Sequence, residues 1–189
     1  MLLSEKYKIL FIEIPKTAST VVGSALNNIL GRQNVLHILD RFDNTKYNHV
    51  YRHCPINDAF LDFPESKEYF KFCFVRNPWD LQVSQYHFNK YVLNYKIPDF
   101  STWLKSNIVV QMEWIKDFSN FDFIGTFETL QGDFDYICSS LGLPLQQLEY
   151  ANSSKHKHYT EYYDQDSYSL VANLCKSEIF HFDYFFENY

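Results

Sequence analysis

Apolar residues along this chain alternate between short continuous runs and helical stripes. Residues 8–14, Lys-Ile-Leu-Phe-Ile-Glu-Ile, form a β-branched and aromatic run ended by Pro15, the pattern of a mostly buried strand. After the polar stretch Lys16 to Thr20, apolar positions at Val21, Val22, Ala25, Leu26, Ile29 and Leu30 mark a helix with one buried stripe, and Gly31 is placed to end it. The pattern recurs. Residues 69–75 read as a second strand, followed by Arg76-Asn77-Pro78-Trp79 and a helix carrying Val83, Tyr86, Tyr91 and Val92. Residues 121–127 read as a third strand before a helix with Leu130, Phe134, Ile137, Cys138 and Leu141, closed by Gly142 and Pro144. Residues 100–117 and 166–181 read as further helices, while 31–68 and 145–165 are the least regular. Strand, short loop and helix in repetition predict an α/β fold: a three-layer, P-loop-like arrangement with a central parallel sheet flanked by helices. With 189 residues and no internal repeat, a single domain over 1–189 is expected.

Composition narrows the function. Hydrophobic residues make up 46% and charged residues 21%, which is globular rather than disordered. The net charge is −6, so a general nucleic-acid partner is not expected, and any anionic ligand must be held by a local set of donors. No apolar run approaches a membrane span, and the first residues lack the basic region and cleavage site of a signal peptide. The four cysteines, Cys54, Cys73, Cys138 and Cys175, are widely spaced, which excludes zinc-type pairs and fits free thiols in a reducing compartment. A soluble, cytoplasmic protein without a required metal is the expectation.

Ligands of open parallel sheets bind beyond the carboxyl ends of the strands. Pro15-Lys16-Thr17-Ala18-Ser19-Thr20 lies there, between a strand and a helix N-terminus. Small residues at 18 and 19 let a phosphate approach the backbone amides, and Lys16, Thr17, Ser19 and Thr20 add a cation and three hydroxyls. An ordinary helix start capped by Ser19 or Thr20 is the plainer alternative. A nucleotide kinase of the Gly-x4-Gly-Lys-Ser/Thr type is disfavoured, because no glycine precedes Lys16. At the end of the second strand Arg76 is followed eight residues later by Ser84, a pair suited to clamping a second phosphate, with a local pairing of Arg76 to Asp80 as the alternative.

Together these segments resemble the sulfotransferase superfamily that uses 3′-phosphoadenosine 5′-phosphosulfate (PAPS). The carriers are Pro-Lys-Thr-Ala-Ser-Thr at 15–20, Arg76-Asn77-Pro78 with Ser84, the run Asp122 to Leu130, Asp133-Phe134, Leu141-Gly142-Leu143-Pro144 and Asn152-Ser153-Ser154-Lys155. The tail resembles the carbohydrate-type branch, which has bacterial members. The resemblance implies that Lys16, Thr17, Ala18, Ser19 and Thr20 hold the 5′-phosphosulfate. It implies that Arg76 and Ser84 hold the 3′-phosphate, and that Lys155, with Tyr159 nearby, closes over the nucleotide. The product would be 3′,5′-adenosine bisphosphate (PAP). The partner would be a hydroxyl acceptor, a carbohydrate or glycolipid. The implied general base is a histidine between the two phosphate motifs, where His53 in Arg52-His53-Cys54-Pro55 fits best, with His49 and Glu13 as alternatives. Tyr47, Tyr51, Tyr91, Tyr95, Trp103 and Trp114 are candidates for stacking on sugar rings. A catalytically silent nucleotide-binding scaffold of the same fold, or a small-molecule kinase, are the competing readings.

Overall fold

The computed structural model of the protein describes residues 1–38, 51–149 and 157–186. They pack as two compact units, one of residues 1–75 and 113–151, the other of 76–112 and 152–189.

The first unit is built on a five-stranded sheet. Its strands are β1 (Leu2–Ser4), β2 (Ile9–Ile12), β3 (Leu36–His37), β4 (Phe70–Val75) and β5 (Phe123–Thr126), in the order β3-β1-β2-β4-β5. The three strands expected from the sequence form the parallel part: β2 pairs with β4 and β4 with β5. The edge is different, since β1 and β3 add antiparallel strands, with Leu3 opposite Leu10 and Leu36. These two elements were absent from the sequence reading because three and two residues are too few to show a period.

Helices α1 (Ser19–Leu30) and α6 (Leu130–Ser140) cover one face of this sheet. Ile9 and Phe11 of β2 and Phe72 and Phe74 of β4 lie in one buried cluster with Val22, Ala25, Leu26 and Leu30 of α1 and Phe134 and Ile137 of α6. Phe11 stacks on Phe72 at 4.9 Å between ring centroids, and Phe74 meets Phe72 edge to face. Gly125 of β5 is required by this packing, because a Cβ there would lie 2.5 Å from the Phe74 ring. The alternate residues Leu10, Ile12, Cys73 and Val75 are fully buried too, which is why these strands read as continuous apolar runs. Also in this unit is α2 (Ile56–Asp62), whose Ile56 and Ala59 are buried.

The second unit is helical, with α3 (Pro78–His87), α4 (Phe100–Leu104), α7 (Gln165–Leu174) and α8 (Lys176–His181) around an aromatic core that includes Trp79, Tyr86, Phe100, Trp103 and Tyr159. A one-turn helix, α5 (Met112–Ile115), crosses the boundary between the units in sequence. Three expectations need correction here. The single helix expected over 100–117 is broken between α4 and α5, where the buried Gln82 side chain bonds the backbone of Val109. Gln82 donates to Val109 O at 2.8 Å and accepts from Val109 N at 2.9 Å. The helix expected over 166–181 divides at Cys175 into α7 and α8. The helix expected to carry Tyr91 and Val92 ends as α3 at His87, and these two residues, in the wider helical turn that follows, are 66% and 67% exposed. That turn spans Phe88–Val92 and is closed by Leu93 N donating to Phe88 O at 3.0 Å, one residue further along than in an α-helix.

Candidate active site

The loop after β2 carries its small residues for a conformational reason as well as for space. Lys16 and Ala18 have φ of 66° and 62°, in the left-handed region. Such positions favour glycine, and a β-branched residue would be strained there. Neither Ser19 nor Thr20 caps α1: the N-cap is Ala18, which has no side-chain oxygen to give. The amides of the first turn are thus not closed by a local side chain, the condition under which a helix start receives an anion. Thr17 differs from its expected role. It is 1% exposed and its hydroxyl donates to Ile14 O at 2.9 Å, so it fixes the loop to the end of the strand and has only its backbone N–H for a ligand. Ser19 is buried, Lys16 half-buried and Thr20 exposed.

His53 belongs to the same unit. It occupies the third position of a turn closed by Cys54 N donating to Tyr51 O at 3.1 Å, and Cys54 and Ile56 are fully buried behind it. Its φ is 59°, a conformation usually left to glycine or asparagine at this turn position. Two bonds hold it there. Its Nδ1 lies 2.6 Å from Glu13 O, and its own carbonyl accepts from Trp114 Nε1 at 2.6 Å. A carbonyl can only accept, so Nδ1 carries the proton and, in the neutral ring, Nε2 carries the lone pair. Burial pushes the imidazole below its ordinary pKa of 6.5, and the Glu13 carbonyl bond partly opposes that shift. The neutral, base-competent form is therefore favoured.

Glu13, weighed above as a base, is placed otherwise. Its side chain is fully buried, with Oε2 2.9 Å from the Met1 ammonium and 3.3 Å from His37 Nε2. His37 Nδ1 in turn accepts from Asn27 Nδ2 at 2.7 Å, and Gly23 makes room, since a Cβ there would lie 2.8 Å from His37 Cε1. Burial alone would raise the Glu13 pKa, but the His37 hydrogen bond and the ammonium charge outweigh it and bring it from 4.5 to about 2. What Glu13 offers the site is its carbonyl. Because the carboxyl is more acidic in the folded protein than in the unfolded chain, its contribution to stability is whole above pH 4.5 and lost as pH falls toward 2. Glu13→Gln is expected to destabilise the protein by about 3 kcal/mol at pH 7, read from the urea midpoint, and to flatten the acid limb of stability. An unchanged midpoint would mean that the buried pair contributes nothing net.

In the second unit, Arg76 follows directly on β4, and Asn77-Pro78 starts α3. Asn77 is the N-cap: its Oδ1 accepts from Trp79 N at 3.1 Å, while its Nδ2 donates to Phe185 O. The Arg76 side chain bonds through Nε to Asp80 Oδ2 at 2.7 Å, the local pairing foreseen as the alternative. Sequence reasoning missed Gln111. This 1% exposed side chain accepts from Arg76 N at 2.8 Å and donates to Arg76 O at 2.9 Å, clamping the peptide that carries the arginine. Nothing in the local sequence pointed to it, because the contact spans 35 residues. Ser84 is 7% exposed on α3. Tyr159 lies 6% exposed in the aromatic core, 5.5 Å from the Phe186 ring. Lys155, His49 and Tyr47 fall outside the described residues. Of the stacking candidates, Trp103 is core, Trp114 holds the His53 carbonyl, and Tyr91 and Tyr95 are exposed.

The Sulfotransferase family profile matches residues 1–189. The chain belongs to the sulfotransferase family. An uncharacterized protein of Archaeoglobus fulgidus is 34% identical to this sulfotransferase over 91 residues, covering 40% of this chain and 70% of the relative. The fold is similar to that in the crystal structure of mouse sulfotransferase SULT7A1 complexed with PAP, with a TM-score of 0.62 over 93% of this chain and 86% of the other, at 13% identity. Among the described residues of the sulfotransferase, no helix is long and apolar enough to cross a membrane, and no group of three or more His, Cys, Asp or Glu side chains is disposed to hold a metal.

Proposed function

We propose that the chain, acting as one domain over residues 1–189, transfers the sulfuryl group of PAPS to a hydroxyl of a carbohydrate or glycolipid, in the manner of the carbohydrate-type branch. The observation that carries this reading is local to the first unit. Glu13, whose carbonyl fixes the proton of His53 on Nδ1, lies three residues before Lys16 in the loop with the uncapped helix start. This supports placing a base, its Nε2 without a bonded partner among the described residues, and a cationic anion cradle at one strand end.

In the proposed reaction His53 Nε2 accepts the proton of the acceptor hydroxyl as its oxygen bonds to sulfur. The sulfur–oxygen bond to the 5′-phosphate breaks, its electron pair stays on the phosphate oxygen, and Lys16 with the amides of residues 18–20 meets that charge. Arg76 and Ser84 are assigned to the 3′-phosphate; this part rests on the family and on the order of the motifs. For Arg76 it requires the guanidinium to serve a phosphate beside Asp80. Lys155 and Tyr159 are assigned to closing over the nucleotide on the same ground. No metal enters the scheme, and the free buried thiols fit a reducing cytoplasm.

A melting comparison tests the donor. PAP at about 100 times its dissociation constant should add roughly 2.7 kcal/mol of stability, a clear rise in Tm, while ATP with magnesium should add little. A rise with ATP and magnesium alone would favour a kinase. No rise with either would favour a protein that has kept the fold without the nucleotide site.

A further inference from the structure

The turn that presents His53 also brings a second cation to the loop. Arg52 Nη2 donates to Thr20 Oγ1 at 3.2 Å, across 32 residues of sequence. Thr20 is exposed in the first turn of α1, so its hydroxyl acts as an anchor that holds the guanidinium at the mouth of the loop. The Arg52 Nε is buried and has no hydrogen-bond partner among the described residues. A buried, charged N–H without an acceptor is costly, and its retention points to an acceptor that arrives with a ligand. No acidic residue stands in the loop at 15–20 or in the first turn of α1 to take that role.

We infer that Arg52 is a further donor to the transferred group itself, binding the non-bridging oxygens of the sulfuryl moiety while Thr20 holds its guanidinium in place. The inference rests on the PAPS reading above. The assignment to sulfuryl rather than to phosphate follows from chemistry. In an in-line displacement the sulfuryl group lies between the acceptor oxygen and the phosphate. Lys16 and the helix amides serve the phosphate end, and His53 serves the acceptor. A cation adjacent to the base in sequence serves the group between them. The planar fork of a guanidinium matches an anion with several equivalent oxygens better than a point charge does.

The test is a pair of affinities, for PAPS and for PAP, measured by calorimetry on the full chain and on Arg52→Ala and Arg52→Lys. PAP lacks the sulfuryl group, so Arg52→Ala should bind it within about twofold of the wild type and bind PAPS about tenfold more weakly. Arg52→Lys should recover only part of that loss. Equal weakening toward both nucleotides would assign Arg52 to the phosphate and overturn the inference, and so would unchanged affinity for both. Wild-type protein that binds neither nucleotide would overturn the donor reading and this inference with it, an outcome distinct from a defect confined to the variants. Melting temperatures without ligand identify a variant that fails to fold. Should Arg52→Ala do so, Arg52→Lys carries the same comparison.

Discussion

His53→Ala is expected to lower PAP release from PAPS, measured with a saturating hydroxyl acceptor, by about 10²- to 10⁴-fold, the usual range for losing a positioned general base. Affinity for PAP should stay within about twofold, because Nε2 is assigned to the acceptor proton and not to the nucleotide. The pH profile supplies the independent readout. Burial holds the His53 imidazole below 6.5, so wild-type turnover should be flat through neutrality and fall as pH drops through that lowered value. The alanine variant should lose this limb. The same displacement makes a stability statement. Below pH 6.5 the unfolded histidine takes up a proton before the folded one does, so the contribution of the neutral buried ring is lost as pH falls. A variant that keeps the limb, or loses PAP affinity in proportion to turnover, would place the base elsewhere.

Lys16→Ala should cost about 10²- to 10³-fold in PAP release, comparable to removing one donor from a site of developing negative charge. It should also weaken PAP binding, which separates it from the His53 variant. Lys16 lies at φ 66°, so alanine inherits the strained conformation without relieving it, and the melting temperature without ligand should change little. Lys16→Gly is the useful control: it removes the same cation from the same loop while relaxing the backbone, and should be as inactive as the alanine variant. Retained turnover in either would sink the assignment of this loop to the departing phosphate.

The parts of the site differ in how far they could be read from residues alone. The loop at 15–20 was legible because its message is compositional: a lysine, hydroxyls and small residues between a strand and a helix. The consumption of the Thr17 hydroxyl by Ile14 O was not, since that bond depends on how the loop folds back on its strand. His53 was legible only by resemblance, and the reason it is held, the Glu13 carbonyl 40 residues away, lies in tertiary structure. Arg52 and Gln111 carried no signal of their own; each matters through a partner more than 30 residues distant. Glu13 was left open for a related reason. Resemblance made it an alternative base and its place in the first strand allowed a structural role; the structure bonds its carboxylate inside the core to His37 and the Met1 ammonium.

By itself the sequence determined the three parallel strands, the helices that follow them and the order of the loop at 15–20 and the Arg76 to Ser84 segment along the chain. Those features depend on hydrophobic period and on residue type, which are local. Only the tertiary structure decided the antiparallel edge of β1 and β3 and the break between α4 and α5. It alone decided which oxygen holds the His53 proton, and which hydroxyl positions the Arg52 guanidinium. Each of these is settled by a hydrogen bond between distant residues, or by strands too short to show a period, and such contacts arise only when the chain has closed on itself.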